Sequence, residues 1–201
     1  MSKPLDYLPL PATAEKELVA SLCRGEADSY RHLYERFAPR LSRILLRIFS
    51  DPQLASDAVQ ATFLVVFQKI DRFDGRSALL TWMTRIAINE AHALRRKNAR
   101  RPLTTPHDEP VRNPEQQHGD RELQHKLSAL VAALPEEKRT ALLLFEIEGF
   151  SVQEIADITG EPRGTVLARL SRTRAELQKD LSSWLAETPA VVEKSRGRDH
   201  V

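Results

Sequence analysis

Two stretches of this 201-residue chain gather cations at spacings that suit a polyanion. In RGTVLARLSRTRAELQK (163–179), five basic residues stand against the single acid Glu176, a net of +4. Written on a helix, Val166, Leu170, Thr173, Leu177 and Leu181 fall on one stripe. The remaining arc carries Arg163, Leu167, Ala168, Ser171, Arg172 and Arg174, with Thr165 and Arg169 at its flank. Small residues between arginines let a helix backbone approach the major groove, where guanidinium groups take phosphates or guanine edges. A charged arc alone is also what a solvated helix face looks like, so its neighbour decides the reading. Ser151 and Glu154 form a capping-box pattern that opens a short helix, SVQEIADIT, with Ile155 and Ile158 as core positions. Gly160 suits its end and Pro162 the first turn of the next helix. Capped short helix, glycine turn and longer basic helix together make a helix-turn-helix aimed at duplex DNA.

The second stretch runs from Arg72 to Arg101, with eight basic residues against Asp74 and Glu90, a net of +6. Phe73 lies in the loop DRFDGRS, Trp82 on the helix that follows, and RRKNARR closes the segment. Aromatic rings beside cations are what single-stranded DNA binding requires, because bases stack on rings while cations track the backbone. Trp82 is in step with Met83 and Ile86, which reads as core rather than as a stacking platform. Between these chemistries there is little room for catalysis. The chain has no paired-carboxylate motif, no Gly-rich phosphate loop and no HExxH spacing. The histidines (His32, His92, His107, His118, His125 and His200) share no spacing and read as surface residues. One cysteine, Cys23, excludes an internal disulfide framework and a multi-cysteine zinc site. No cofactor, no metal and no enzymatic activity are expected.

A third patch is apolar. In DAVQATFLVVFQKI (57–70), Val59, Phe63, Val66, Phe67 and Ile70 take the core stripe. Leu64 and Val65 then lie off it, near Asp57, Gln60 and Gln68. Apolar residues on a polar face suit either a partner protein or another helix of the same domain.

These groups need a scaffold, and the periodicity specifies one. Leu41, Ile44, Leu45 and Ile48 recur at helical spacing, as do Leu79, Met83 and Ile86, then Leu123, Leu127, Leu130, Val131 and Leu134, then the apolar run 142–147. The expected fold is all-α: two small helical domains over 20–100 and 121–186. Between them, RPLTTPHDEPVRNPEQQHGD places Pro102, Pro106, Pro110 and Pro114 every fourth residue, which forbids a helix and predicts an extended linker over 101–120. Twenty residues reach on the order of 65 Å at most. Segments 1–19 and 187–201 lack an apolar period and are expected to be flexible. No apolar run approaches the ~18 residues of a membrane span. The N-terminus lacks a signal-peptide pattern, so a cytoplasmic, reducing compartment without membrane insertion is expected.

In order, DAVQATF, then RFDGRSALLTWMTRIAIN with its basic tract, then LPEEKRTALLLFEIEGFSVQEIADITGEPRGTVLARLSRTR resemble the extracytoplasmic-function group of bacterial sigma-70 factors. The resemblance spans about residues 20–185. It implies a subunit that binds core RNA polymerase and directs initiation at a promoter class, under control of an anti-sigma protein. A conventional operator-binding regulator is the alternative. By resemblance, Asp57, Gln60, Ala61, Leu64, Val65 and Gln68 meet core polymerase. Phe73, Asp74, Arg76 and Ser77 pocket a base of the melted −10 strand with Asn89, and Arg95, Arg96, Lys97 and Arg100 hold nearby phosphates. Arg163, Thr165, Leu167, Ala168, Arg169, Ser171, Arg172 and Arg174 read the −35 duplex. The chain departs from the family at Ala61, where an acid is usual, at Ala93, where Asp or Asn is common, and at Leu167–Ala168, which replace a common Lys-Ser pair. Base readout at those last two positions is expected to be apolar or absent.

Net charge sharpens the picture. Thirty basic against 28 acidic residues leave only +2 overall. With +6 and +4 held in the two basic stretches, the rest of the chain is acidic.

Overall fold

The computed structural model of the protein describes residues 10–99 and 118–187, all helices and connecting turns. Residues 101–117 of the expected linker, with Arg100, lie outside the described residues, as do 1–9 and 188–201. The first helix, α1, spans Ala12–Cys23, so the expectation of a flexible segment to residue 19 fails for its second half. Pro11 sits just before the helix, where a missing N–H costs nothing, and Leu18 and Leu22 anchor α1 by burial. Helix α2 (Ala27–Phe49) ends at Ser50, which takes a left-handed conformation (φ 55°). Asp51 then caps α3 (Pro52–Lys69): its carboxylate accepts from the Leu54 amide at 2.9 Å. A tight 3₁₀ turn, Ile70–Arg72, leads through a loop to α4 (Leu79–Asn98).

Helices α2, α3 and α4 pack around Leu33, Leu41, Ile44, Leu45, Ile48, Val66, Leu79 and Met83, all essentially inaccessible to solvent. Each such side chain contributes about 1.5–3 kcal/mol relative to exposure. The stripe expected at 41–48 is therefore the centre of the core. Ile86 is only partly buried, and Phe67 is a correction: it is 37% exposed, at the edge of an aromatic group. Its ring meets Tyr30 edge-on at 4.6 Å and lies 6.1 Å from Phe63.

The second unit opens with α5 (His118–Ala133), three residues earlier than expected. Helix α6 (Glu136–Leu142) runs straight into a π-helical turn, Leu143–Ile147. Gly149 (φ 72°) breaks that turn, and the short α7 (Val152–Thr159) and long α8 (Arg163–Glu187) come after it. Ala141, Leu144, Ile155, Ile158, Val166 and Leu170 form its core. Leu127 and Ile147 are exposed, and Leu177 and Leu181 only half-buried, although each fits its apolar stripe. Along these stretches, among the described residues, the neighbouring elements do not cover the stripe completely.

The two units are packed on each other. Helix α4 lies against α7, while α2 meets α6 and the π turn, so the two cores join in one apolar cluster. At the seam, Glu148 is almost wholly buried, its side chain only 1% exposed. Its Oε1 accepts from Arg47 Nη1 at 2.5 Å, and its backbone carbonyl from Arg40 Nη2 at 2.9 Å.

Candidate nucleic-acid interface

The helix-turn-helix is assembled by local bonds that the sequence specifies. Ser151 Oγ accepts from the Glu154 amide, and Glu154 Oε2 accepts from the Ser151 amide at 2.8 Å, closing the capping box. Gly160 ends α7 at φ 73°, a conformation that suits glycine because it lacks a Cβ. Pro162 stands one residue before α8, and its carbonyl accepts from the Thr165 and Val166 amides. Val166, Leu170 and Thr173 then seat α8 by one face.

The opposite face presents Arg163, Thr165, Leu167, Ser171, Arg172 and Arg174 to solvent, with Ala168 half-buried between them. Leu167 is 49% exposed, an apolar group at the middle of a cationic face. Near the start of the helix, a Cβ added to Gly164 would meet nothing within 4 Å, so backbone is accessible there. Arg169 behaves differently from its neighbours. Its guanidinium binds both carboxylate oxygens of Glu161, reaches Glu137 at 3.4 Å, and keeps only 15% side-chain exposure. The hydrogen bond to Glu161 raises its pKa above the ordinary arginine value. Arg169 thus fixes the turn to α6 and α8 rather than standing open on the face. Arg174 is half-exposed, bonded to Glu146 at 2.7 Å and stacked 4.9 Å from the Phe145 ring.

On the first unit, the Asp74 carboxylate accepts from the Arg76 amide at 3.1 Å, folding the loop onto itself beside Gly75 (φ 70°). The Arg76 side chain is almost fully exposed. Phe73 is half-buried with its ring 5.3 Å from Trp82, and Ser77 is half-buried. Trp82 packs against the core, as its register suggested, and carries Phe73 as an outer layer. Asn89, Arg96 and Lys97 are exposed on α4. Arg95 is bound to the Glu136 carboxylate across the seam and lies 5.4 Å from the Phe49 ring.

Along α3, Gln60, Leu64 and Gln68 are exposed on one face, with Asp57, Ala61 and Val65 half-buried beside them. Leu64 is 62% exposed, so no helix of the chain's own covers it among the described residues. Tyr34 (49% exposed) and Phe67 extend the patch, Tyr34 through its ring contact with Phe63 at 4.8 Å. Sequence reading missed both: Phe67 fits the core stripe, and Tyr34 lies on a different helix. Among the described residues, no cluster of His, Cys, Asp or Glu could hold a metal ion. No helix there is long and apolar enough to cross a membrane.

Two family models match the chain in sequence order: sigma-70 region 2 over residues 33–101, and sigma-70 region 4 over 124–177. The RNA polymerase sigma-H factor of Pseudomonas aeruginosa is 31% identical over 186 residues, 86% of this chain and 96% of the relative. The ECF RNA polymerase sigma-E factor of Escherichia coli K12 is 30% identical over 80% of this chain and 90% of its own length. The chain belongs to the extracytoplasmic-function group of sigma-70 factors. Its two units are region 2 and region 4 of this family. The α3 patch, the Phe73–Ser77 loop and Asn89 all fall in the region 2 match, and the exposed face of α8 in the region 4 match. Among solved structures, RpoE in complex with the anti-sigma factor NepR from Bartonella quintana is 26% identical, with TM-score 0.61 over 78% of this chain and 98% of the other. CnrH in complex with the cytosolic domain of CnrY shares the fold, at 22% identity and TM-score 0.63 over 85% and 98%.

Proposed function

We propose that this sigma factor docks on core RNA polymerase through the α3 face of region 2, engages melted −10 DNA through the Phe73–Ser77 loop and α4, and reads −35 duplex with α8. The observation that carries the reading is the pairing of a helix-turn-helix whose outer face holds Arg163, Arg172 and Arg174 with a second, separate aromatic and cationic surface in region 2. A duplex-only operator regulator has no need for the second surface. Leu64, flanked by Tyr34, Phe67, Gln60 and Gln68, supplies an apolar anchor with a polar rim, the composition of a protein interface.

In this reading the chain acts by binding and needs no catalytic group of its own. Opening duplex costs about 1.4 kcal/mol of stacking per step. Capture of unstacked bases against the loop and of phosphates by Arg96 and Lys97 offsets that cost. Contacts to −35 DNA and polymerase fix where the capture occurs. Asn89 assists in the −10 pocket, and Arg95 joins the phosphate contacts once it leaves Glu136. Control by an anti-sigma protein fits relatives such as the NepR-bound RpoE. A cytoplasmic location follows from these partners.

Run-off transcription with purified core enzyme on genomic promoter fragments tests the reading. Discrete transcripts that require this protein are expected. Binding to DNA with no core association and no initiation would instead support the operator regulator.

A further inference from the structure

One side chain on the outer face of α8 does not suit a phosphate contact. Leu167 is 49% exposed and stands outside the apolar core cluster. Arg163 lies four residues before it, Ser171 four after and Arg174 seven after, which puts all of them on one row of the helix surface. Each of these neighbours is exposed. On the adjoining row, Gly164 has open space where a Cβ would be, so a groove wall can come close to the backbone there. The exposed leucine of region 2 has different company. Leu64 has Tyr34 and Phe67 beside it, an apolar group of the kind that anchors a protein partner. Leu167 has cations and a hydroxyl, and no other large apolar side chain is exposed on α8 among the described residues.

A lone leucine among cations has a specific use on duplex DNA. The edges that base pairs show in the major groove are hydrogen-bond donors and acceptors, apart from the C5 methyl of thymine. Leucine set against guanine N7 and O6, or against the cytosine amino group, strips water from those atoms and returns no hydrogen bond. Set against thymine, it buries a methyl instead. The arginines along its row favour the polyanion that carries such a methyl over an uncharged protein surface.

We propose that Leu167 is a specificity-determining residue that packs on a thymine methyl in the −35 duplex, so that an A·T pair is preferred at the position it faces. The inference rests on the assignment of α8 to −35 DNA and adds the base that one residue selects.

The test uses holoenzyme assembled from the full-length chain and core polymerase. The probe is a promoter fragment recovered by run-off transcription and randomised over its −35 element. A fixed thymine is expected among the fragments that bind. Deoxyuridine in its place lacks only the C5 methyl and should weaken binding about fourfold, the worth of one buried methyl. Leu167→Ala should bind the thymine and deoxyuridine fragments equally, with the free variant melting at the parent's temperature. Leu167→Met, which keeps an apolar side chain of similar volume, should retain the discrimination. Equal binding of both bases by the parent at every selected thymine overturns the inference. A methyl effect that persists undiminished in Leu167→Ala overturns it too. In both of those cases −35 selection survives, and the assignment of α8 stands. Loss of all −35 selection by the parent overturns that assignment and this inference with it.

Discussion

At the scale of single residues, side chains that look alike in sequence divide into two kinds by their partners. Arg172 and Arg169 lie three positions apart on one cationic arc, yet the first is exposed and the second is bound by Glu161 and Glu137. Arg172→Ala is expected to weaken −35 duplex binding about tenfold or more, in line with about 1–3 kcal/mol for a base or phosphate contact, and to leave the melting temperature unmoved. Arg169→Ala should lower the melting temperature, costing about 1.5–3 kcal/mol of stability through its charged hydrogen bonds, and weaken −35 binding only as far as the turn it fixes loosens. Gly164 offers a second contrast. Alanine there meets no atom and is a better helix former, so Gly164→Ala should stabilise the fold by up to about 1 kcal/mol. The same methyl should weaken duplex binding where the backbone approaches DNA, as a gel-shift titration would show. The cationic arc was legible from spacing alone. The status of Arg169 was not, because Glu161 and Glu137 reach it through the turn and from another helix.

At the scale of elements, turn chemistry was read more securely than coverage. The capping box, the Gly160 stop and the buried positions Ile155, Ile158, Val166 and Leu170 are local consequences of short motifs, and the structure has them all. Gly160→Ala forces a Cβ into a left-handed conformation and should cost roughly 1–2 kcal/mol, measured by denaturant unfolding. Because α7 and α8 meet at that turn, −35 binding should fall with it. Phe67, Leu127 and Ile147 fit apolar stripes yet are exposed, since periodicity states which face a helix would bury and not whether a neighbour arrives to bury it. At Leu64 the same logic runs the other way: sequence left its cover open between a partner and the chain's own helices, and the packing leaves it bare.

At the scale of the whole molecule, the charge balance has a spatial counterpart. Near neutrality combines basic side chains with acids set against them, and across the seam Glu136 meets Arg95 while Glu148 meets Arg47 and Arg40. Nothing in local periodicity could have revealed that pairing, because Arg40 and Glu148 are over a hundred residues apart. Titration should report on it. Burial holds His92 below its ordinary pKa of 6.5, only partly opposed by Glu136, with Arg95 and Arg96 adding to the depression. The folded state therefore prefers neutral His92. Its contribution is intact above pH about 6.5 and erodes as pH falls, when the unfolded chain takes up the proton first. Thermal unfolding from pH 7.5 to 5.5 should show this component, and His92→Gln should remove it. The π turn carries a last consequence. The Glu148 amide bonds back five residues to Leu143, so the turn holds one residue more than an α-helix would use. Each helical residue rotates the chain by about 100°. That one surplus residue sets the phase of α7 and α8, like a single tooth on a gear. Removing exposed Ile147 would swing Glu148 away from Arg40 and Arg47 and re-aim α8, with almost no change in composition.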